Sequence, residues 1–256
     1  MILALDVGNT NIVIGGFEEK NIIFKERIST DHCATDLEYA VNIKTALEMH
    51  NLGSCDIKGA IISSVVPSVT NTLCRAIKKY CQVTALVVGP GIKTGLSITI
   101  DNPAQLGSDL VVDAVAAINE YRAPMIVVDM GTATTFSVID KNRSYVGGLI
   151  TTGMAVSTEA LTSRTSQLPK ISFDIPKKLI GTNTVDSMKS GIMYAAACSI
   201  DGIAERIEHE LGEKCTIIAT GGLAHLVVPL CRKNVVCDDD LLLKGLMLIY
   251  NKNSQT

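Results

Sequence analysis

The chain has 256 residues, 47% of them apolar and 19% charged, with a formal net charge of −3. That length and balance suit one large domain or two fused mid-sized ones, and they exclude a disordered, collagen-like or coiled-coil chain. No Lys/Arg run offers a footprint for a phosphate backbone, so neither nucleic acid nor an anionic membrane is an expected partner.

The opening MILAL meets Asp6 at once and carries no basic leader, so it reads as a buried strand rather than a signal peptide or a membrane span. A soluble, cytoplasmic protein is expected. Strand-like IVIGGF and NIIFKERI follow, and Thr35-Asp36-Leu37-Glu38 then forms a capping box ahead of an amphipathic run to His50. An apolar strand at Ala60 to Ile62 leads to a helix with Val69, Leu73, Ala76, Ile77 and Tyr80 on one face, and a strand from Ala85 to Val88 closes the unit. The Ala/Val-rich segment from Gly107 to Tyr121 predicts a helix. Strands are expected at Met125 to Val128, Thr134 to Ile139 and Tyr145 to Ile150. A long helix from Thr184 towards Glu210 carries Val185, Met188, Ile192, Ala195, Ala196, Ile203 and Ile207 as its apolar stripe. Asp238, Asp239 and Asp240 read as a solvated run capping a last helix that begins near Leu241.

Two strings repeat. Asp6-Val7-Gly8-Asn9-Thr10 and Asp129-Met130-Gly131-Thr132-Ala133-Thr134 each follow a four-residue apolar strand. A single Asp-x-Gly-x-Thr string also describes an ordinary tight turn, but two copies at equivalent places imply a duplication into two α/β halves. The halves are expected at residues 1–122 and 123–256, with the boundary near Arg122 to Pro124. The aspartate that ends each strand can hold a hydrated divalent cation, and the glycine lets backbone approach a phosphate cradled by Asn and Thr. Other nucleotide motifs fail: Gly89-Pro90-Gly91-Ile92-Lys93-Thr94 lacks P-loop spacing, and no G-x-G-x-x-G opens a helix. His32, His50, His209 and His225 have no metal-ligand spacing. The eight cysteines (Cys33, Cys55, Cys74, Cys81, Cys198, Cys215, Cys231, Cys237) form no CxxC pair and are expected reduced and mostly buried.

Paired phosphate hairpins are what the actin, sugar kinase and heat-shock ATPase superfamily uses, and Gly221-Gly222 resembles its adenosine-binding turn. The set is more specific still. The two hairpin strings, Ile62-Ser63-Ser64-Val65-Val66-Pro67, Gly89-Pro90-Gly91, Asp101-Asn102-Pro103, Gly181-x-Asn-Thr184, Ser190-Gly191 and Ala219-Thr-Gly-Gly222 together resemble type III pantothenate kinases, from Met1 to about Tyr250. The resemblance implies duplicated ribonuclease H-like (actin-like ATPase) halves, each a mixed sheet flanked by helices. It also implies a homodimer that uses ATP, Mg²⁺ and a monovalent cation (K⁺ or NH₄⁺) to make 4′-phosphopantothenate from pantothenate, the first step of coenzyme A synthesis. Carried onto this chain, it assigns ATP phosphates to Asp6, Val7, Gly8, Asn9, Thr10, Asn11, Ile12 and Val13, with Thr132 as a second contact. The monovalent cation falls to Asp129, and the acceptor to Ile100, Gly107, Ser108, Asp109, Leu110 and Thr184, with Asp109 as general base.

The pattern departs on the acceptor side. Gly107-Ser108-Asp109-Leu110 stands where the family usually reads Gly-Ala-Asp-Arg, Ile100 where it often has Tyr, and Thr151-Thr152-Gly153 where Ala-Pro-Gly is usual. Losing the guanidinium should cost roughly 1.5–3 kcal/mol of charge-assisted hydrogen bonding, with Lys93 or Arg164 as candidate substitutes. Two other readings follow from these departures: an actin-like kinase of another small hydroxylated acceptor, or a nucleotide-binding regulatory paralogue without catalysis.

Overall fold

The computed structural model describes residues 1–19 and 21–254. The strands are β1 (Ile2–Val7), β2 (Asn11–Glu18), β3 (Asn21–Ser29), β4 (Gly59–Ser64), β5 (Ala85–Val87), β6 (Ser97–Ile98), β7 (Met125–Met130), β8 (Ala133–Ile139), β9 (Ser144–Thr152), β10 (Thr216–Thr220) and β11 (Val235–Cys237). The helices are α1 (Asp36–Met49), α2 (Pro67–Cys81), α3 (Ser108–Glu120), α4 (Met154–Arg164), α5 (Thr184–Leu211), α6 (Ala224–Val227) and α7 (Leu241–Ser254). Among the described residues no helix is long and apolar enough to cross a membrane.

The chain divides into two compact units, Met1–Gly95 with Asn102–Ala116 and Leu242–Thr256, and Leu96–Asp101 with Ala117–Leu241. Each holds one sheet. The first runs β3-β2-β1-β4-β5, and the second β11-β10-β7-β8-β9-β6. In both, an antiparallel meander (β1-β2-β3, β7-β8-β9) is flanked by parallel strands added beside its first member, β4 and β5 in one and β10 and β11 in the other. The repeated strings therefore mark a repeated topology. The expected boundary at 122/123 differs from this division because side chains far apart in sequence decide it. In the first unit Leu243, Leu246, Met247 and Ile249 of α7 pack with Ala4, Phe17, Ile61 and Val112. In the second, β6 pairs with β9. A two-residue strand carries too little pattern to be read from sequence, and β6 was not expected.

Alternation along β1 sorts the first unit's two cores. Leu3, Leu5 and Val7 join Tyr39, Ile43 and Leu47 of α1 and Val69, Leu73 and Ile77 of α2 on one face. Ala4 turns to the other face, against α3 and α7. Each fully buried Leu or Ile contributes about 1.5–3 kcal/mol. Asp6, two residues beyond Ala4, follows it to the α3/α7 face. The capping box of α1 forms as expected: Glu38 N donates to Thr35 Oγ1 at 3.3 Å and Thr35 N to Glu38 Oε2 at 2.7 Å.

In the second unit α5 buries Met188, Met193, Ala197, Ile200, Ala204 and Ile207, a seam rotated from the expected stripe, and Val185 is exposed. The helix is apolar on adjoining faces, so periodicity alone cannot choose between them. Its end is fixed by Glu208, whose buried carboxylate accepts from Lys233 Nζ at 2.7 Å, Lys214 Nζ at 2.9 Å and Cys215 N at 3.1 Å. Burial pushes that carboxyl up, but the three donors outweigh it and bring its pKa to about 2. Because the folded value lies below the unfolded 4.5, the stabilisation is complete above pH 4.5 and is lost as pH falls towards 2. Glu208→Gln is expected to cost about 3 kcal/mol at neutral pH, the low end for breaking a buried pair because Lys214 is exposed. The loss should fade below pH 4.5, as read by urea unfolding at stepped pH.

Two expectations are corrected here. Asp238 is not solvated: it is 7% exposed and accepts from Tyr121 Oη at 2.8 Å, a partner 117 positions away that local composition cannot reveal. The cysteines are free but not mostly buried. Only Cys81 is buried, while Cys33, Cys55, Cys198 and Cys237 are exposed.

Candidate functional site

The first unit presents a phosphate-sized turn. β1 and β2 pair with Asp6 opposite Val13 and Val7 opposite Ile12, and Gly8 N donates to Asn11 O at 3.0 Å to close the hairpin. Thr30 anchors the turn from β3 and beyond: its Oγ1 donates to Gly8 O at 2.7 Å and its N to Thr10 O at 3.0 Å. Asn9 and Thr10 are left exposed at the tip, with Asp6, Gly8, Asn11 and Val13 half-buried behind them. Val7 and Ile12 are 0% exposed and belong to the α1/α2 core, so of the eight expected phosphate contacts these two can offer only backbone.

Asp109 arrives at the same end of the same sheet. β1 and β4 are parallel with Asp6 beside Ser63, and Ser63 is fully buried on the α3/α7 side, like its neighbour Ile61. Ser63 Oγ donates to Ser108 Oγ at 3.1 Å, Ser64 N donates to Ser108 Oγ at 3.1 Å, and Ser108 Oγ donates to Ser64 O at 3.0 Å. The Ser108 hydroxyl is engaged in bolting the first turn of α3 to the end of β4. Asp109 follows directly. Its Oδ1 accepts from Leu110 N at 2.8 Å, and a Cβ on Gly107 would lie 2.4 Å from that oxygen, so only glycine lets the carboxylate fold back there. Burial raises the Asp109 pKa above the ordinary 3.8, against the lowering effect of the Leu110 N–H. This bolt was invisible in sequence, where Ser63-Ser64 and Ser108 are merely hydroxyls in separate motifs.

The second unit repeats the hairpin. Asp129 pairs with Thr135 across β7 and β8, Gly131 N donates to Ala133 O at 3.0 Å, and Gly131 and Thr132 are exposed at the tip. Two glycines press on this turn. A Cβ at Gly153 would lie 2.3 Å from Gly131 O and 2.4 Å from Thr132 O, and one at Gly221, whose φ is +94°, 2.6 Å from Asp129 Oδ1. Gly221 thus serves the Asp129 turn, and Gly153, kept where the neighbouring family residues are changed, serves Thr132. Thr135 Oγ1 is buried with no hydrogen-bond partner among the described residues. As a cross-strand partner it shares a face with the Asp129 side chain.

Thr184 opens α5 and lines an open groove of about 780 Å³ with Leu161, Leu168, Met188, Ile192 and the Gly181-Thr182-Asn183 turn. Asn183 caps the helix, its Oδ1 accepting from Asp186 N at 2.9 Å. Ile100 is half-buried just beyond β6, and Leu110 is half-buried in the first turn of α3. Of the candidate substitutes for the missing arginine, Lys93 is misplaced. Its N donates to Asn253 Oδ1 at 3.1 Å and its O accepts from Asn253 Nδ2 at 3.0 Å, at the end of α7 where Tyr250 covers Gly59, the first residue of β4. Asp6 and Asp109 lie at the other end of those strands. Arg164 ends α4 and is exposed.

Two duplicated α/β units, each with an aspartate at the end of the first strand of its antiparallel meander and a glycine turn after it, define the actin-like ATPase and sugar kinase class of fold. A solved structure of that shape, the activator of 2-hydroxyisocaproyl-CoA dehydratase from Clostridium difficile with bound ADPNP, is similar at TM-score 0.59 and 14% identity, covering 99% of this chain and 96% of that one. The sequence profile of type III pantothenate kinases matches residues 2–206. Type III pantothenate kinases of Halalkalibacterium halodurans and Bacillus cytotoxicus are each 46% identical, over 253 and 254 residues, covering 99% of this chain and 100% and 97% of theirs. The chain belongs to the type III pantothenate kinase family.

Proposed function

We propose that this protein transfers the γ-phosphoryl group of ATP to the primary hydroxyl of pantothenate, giving 4′-phosphopantothenate and ADP in the first step of coenzyme A synthesis. The observation that carries the reading is the convergence, within the first unit, of the Asp6 turn and Asp109 at one end and one face of one sheet. Phosphoryl transfer asks a protein chiefly for positioning and charge neutralisation. The Gly8 to Thr10 turn offers backbone and hydroxyl donors to phosphate oxygens, and Thr132 offers another. Asp109 accepts the hydroxyl proton as that oxygen attacks phosphorus and the bond to the β-phosphate oxygen breaks. Thr184 and its groove hold the acceptor.

The donor sets fit the implied ions. Asp6 is a half-buried carboxylate beside the phosphate-sized turn of the first unit. That suits Mg²⁺ held through one carboxylate, water and phosphates. The Asp129 carboxylate beside the unpartnered Thr135 hydroxyl suits a monovalent cation, K⁺ or NH₄⁺, as an all-oxygen site. Such ions neutralise phosphate charge when bound. A cytoplasmic homodimer is the assembled form. The exposed apolar side chains Ile150, Leu161, Ile175, Leu179 and Ile180 of the second unit give a partner copy something to cover.

The test is ADP release with ATP, Mg²⁺ and K⁺, with and without pantothenate, on protein whose mass is read by light scattering. Pantothenate-dependent turnover by a species of twice 27.3 kDa is expected. No turnover at millimolar pantothenate sinks the kinase reading, and a 27.3 kDa species sinks the dimer. Leu110 and Ile100, apolar where the family is polar, favour a second reading, a different and less anionic hydroxylated acceptor. It predicts turnover on such an acceptor in place of pantothenate.

A further inference from the structure

We infer that Arg164 is the anion anchor of the Thr184 groove, the residue that recognises the acceptor's carboxylate in place of the guanidinium position 110 lacks. The inference rests on the kinase reading and names a specificity determinant within it. The groove's walls are apolar and its rim carries hydroxyl and amide groups; among the described residues no charged side chain lines it. An anionic acceptor placed there without a counter-charge would give up water around its carboxylate and receive nothing comparable. At position 110 the chain offers an alkyl group.

The segment that closes one side of the groove carries a charged residue between the two positions that line it. Leu161 and Leu168 both line it, and Arg164 lies between them, one helical turn after Leu161, where α4 ends. Its side chain is exposed, and among the described residues it makes no ion pair or hydrogen bond. A guanidinium in that state is available, and its planar fork matches a carboxylate through two parallel N–H donors. Lys93, the other candidate, belongs to the first unit, where its backbone N and O are tied to Asn253. Lys177 and Lys178 are also exposed, three or more residues before the Gly181 turn, and serve as the comparison.

The test pairs two acceptors with three variants. Pantothenate carries the carboxylate, whereas pantothenyl alcohol keeps the reacting hydroxyl and replaces the carboxylate with a neutral CH₂OH. For Arg164→Ala, KM for pantothenate should rise roughly 10- to 100-fold, the size of one lost charge-assisted interaction. Meanwhile kcat, KM for ATP and KM for the alcohol should stay within about twofold, the signature of binding lost without loss of transition-state stabilisation. Arg164→Lys should recover part of the loss, and Lys177→Ala/Lys178→Ala should leave pantothenate KM unchanged. Equal effects on acid and alcohol, no effect on either, or a selective loss in the lysine variant would each overturn the assignment. Wild-type protein that phosphorylates neither acceptor removes the kinase reading itself.

Discussion

Asp109→Asn should cut phosphoryl transfer by orders of magnitude while leaving the protein folded and able to bind ATP. The carboxylate is half-buried, its pKa is raised by that burial, and one oxygen is engaged by Leu110 N at 2.8 Å. An asparagine can still accept that hydrogen bond through its carbonyl oxygen, so the first turn of α3 keeps its shape. What it cannot do is take a proton. A positioned general base contributes about 10²–10⁴-fold, and kcat should fall by that factor with KM for ATP nearly unchanged. The sign of the pH dependence follows. A base works only when ionised, and burial lifts the Asp109 pKa above the ordinary 3.8, so kcat/KM should fall on the acid side through an inflection raised in the same direction. In Asp109→Asn that limb should vanish from the residual rate. If the variant retained more than a tenth of wild-type kcat, or kept the acid limb, another group would be the base.

How far the sequence carried this site depends on the range of the interaction concerned. The hairpin turns were legible because their chemistry is local: strand, aspartate, glycine and hydroxyl fall within five residues, and the copy at Asp129 showed that the first was no accident. The capping box at Thr35 and Glu38 was legible for the same reason. What stayed hidden depends on partners distant in the chain. Ser108 reads as a substitution in an acceptor motif, yet its hydroxyl is engaged by Ser63 and Ser64, more than forty positions earlier. Asp238 reads as one of three solvated acids, yet it is buried and accepts a hydrogen bond from Tyr121. The last helix gives no sign in its own residues that it belongs with the first unit, and the seam of α5 was misread because a helix apolar on adjoining faces has no single period to find. The burial of the Val7 and Ile12 side chains stayed hidden for a further reason. A motif names a stretch of backbone, whereas strand alternation sends every second side chain into the core.

Gly153→Ala should damage nucleotide use as severely as many active-site changes, although residue 153 offers no side chain to a ligand. Its φ of −70° and ψ of 160° suit alanine, so the backbone itself is unstrained. The obstacle is contact. The new methyl would lie 2.3 Å from Gly131 O and 2.4 Å from Thr132 O, backbone atoms that no rotamer change can clear. Restoring van der Waals separation moves the Gly131–Thr132 turn by about 1 Å, and it strains the hydrogen bond from Gly153 N to Thr132 O, now 3.1 Å. Misplacement of about 1 Å in a positioning group can cost roughly 10²-fold, so kcat/KM for ATP should drop by about that factor. Gly212→Ala supplies the contrast. Gly212 ends α5 at φ +70° with open space around its Cβ position, so alanine there should lower stability by about 1 kcal/mol through the left-handed backbone alone and leave kcat/KM unchanged. Steady-state kinetics beside urea unfolding separates the two. Equal kinetic losses in both variants would mean that Gly153 matters only for folding, and an active Gly153→Ala would mean that Thr132 does not hold the nucleotide.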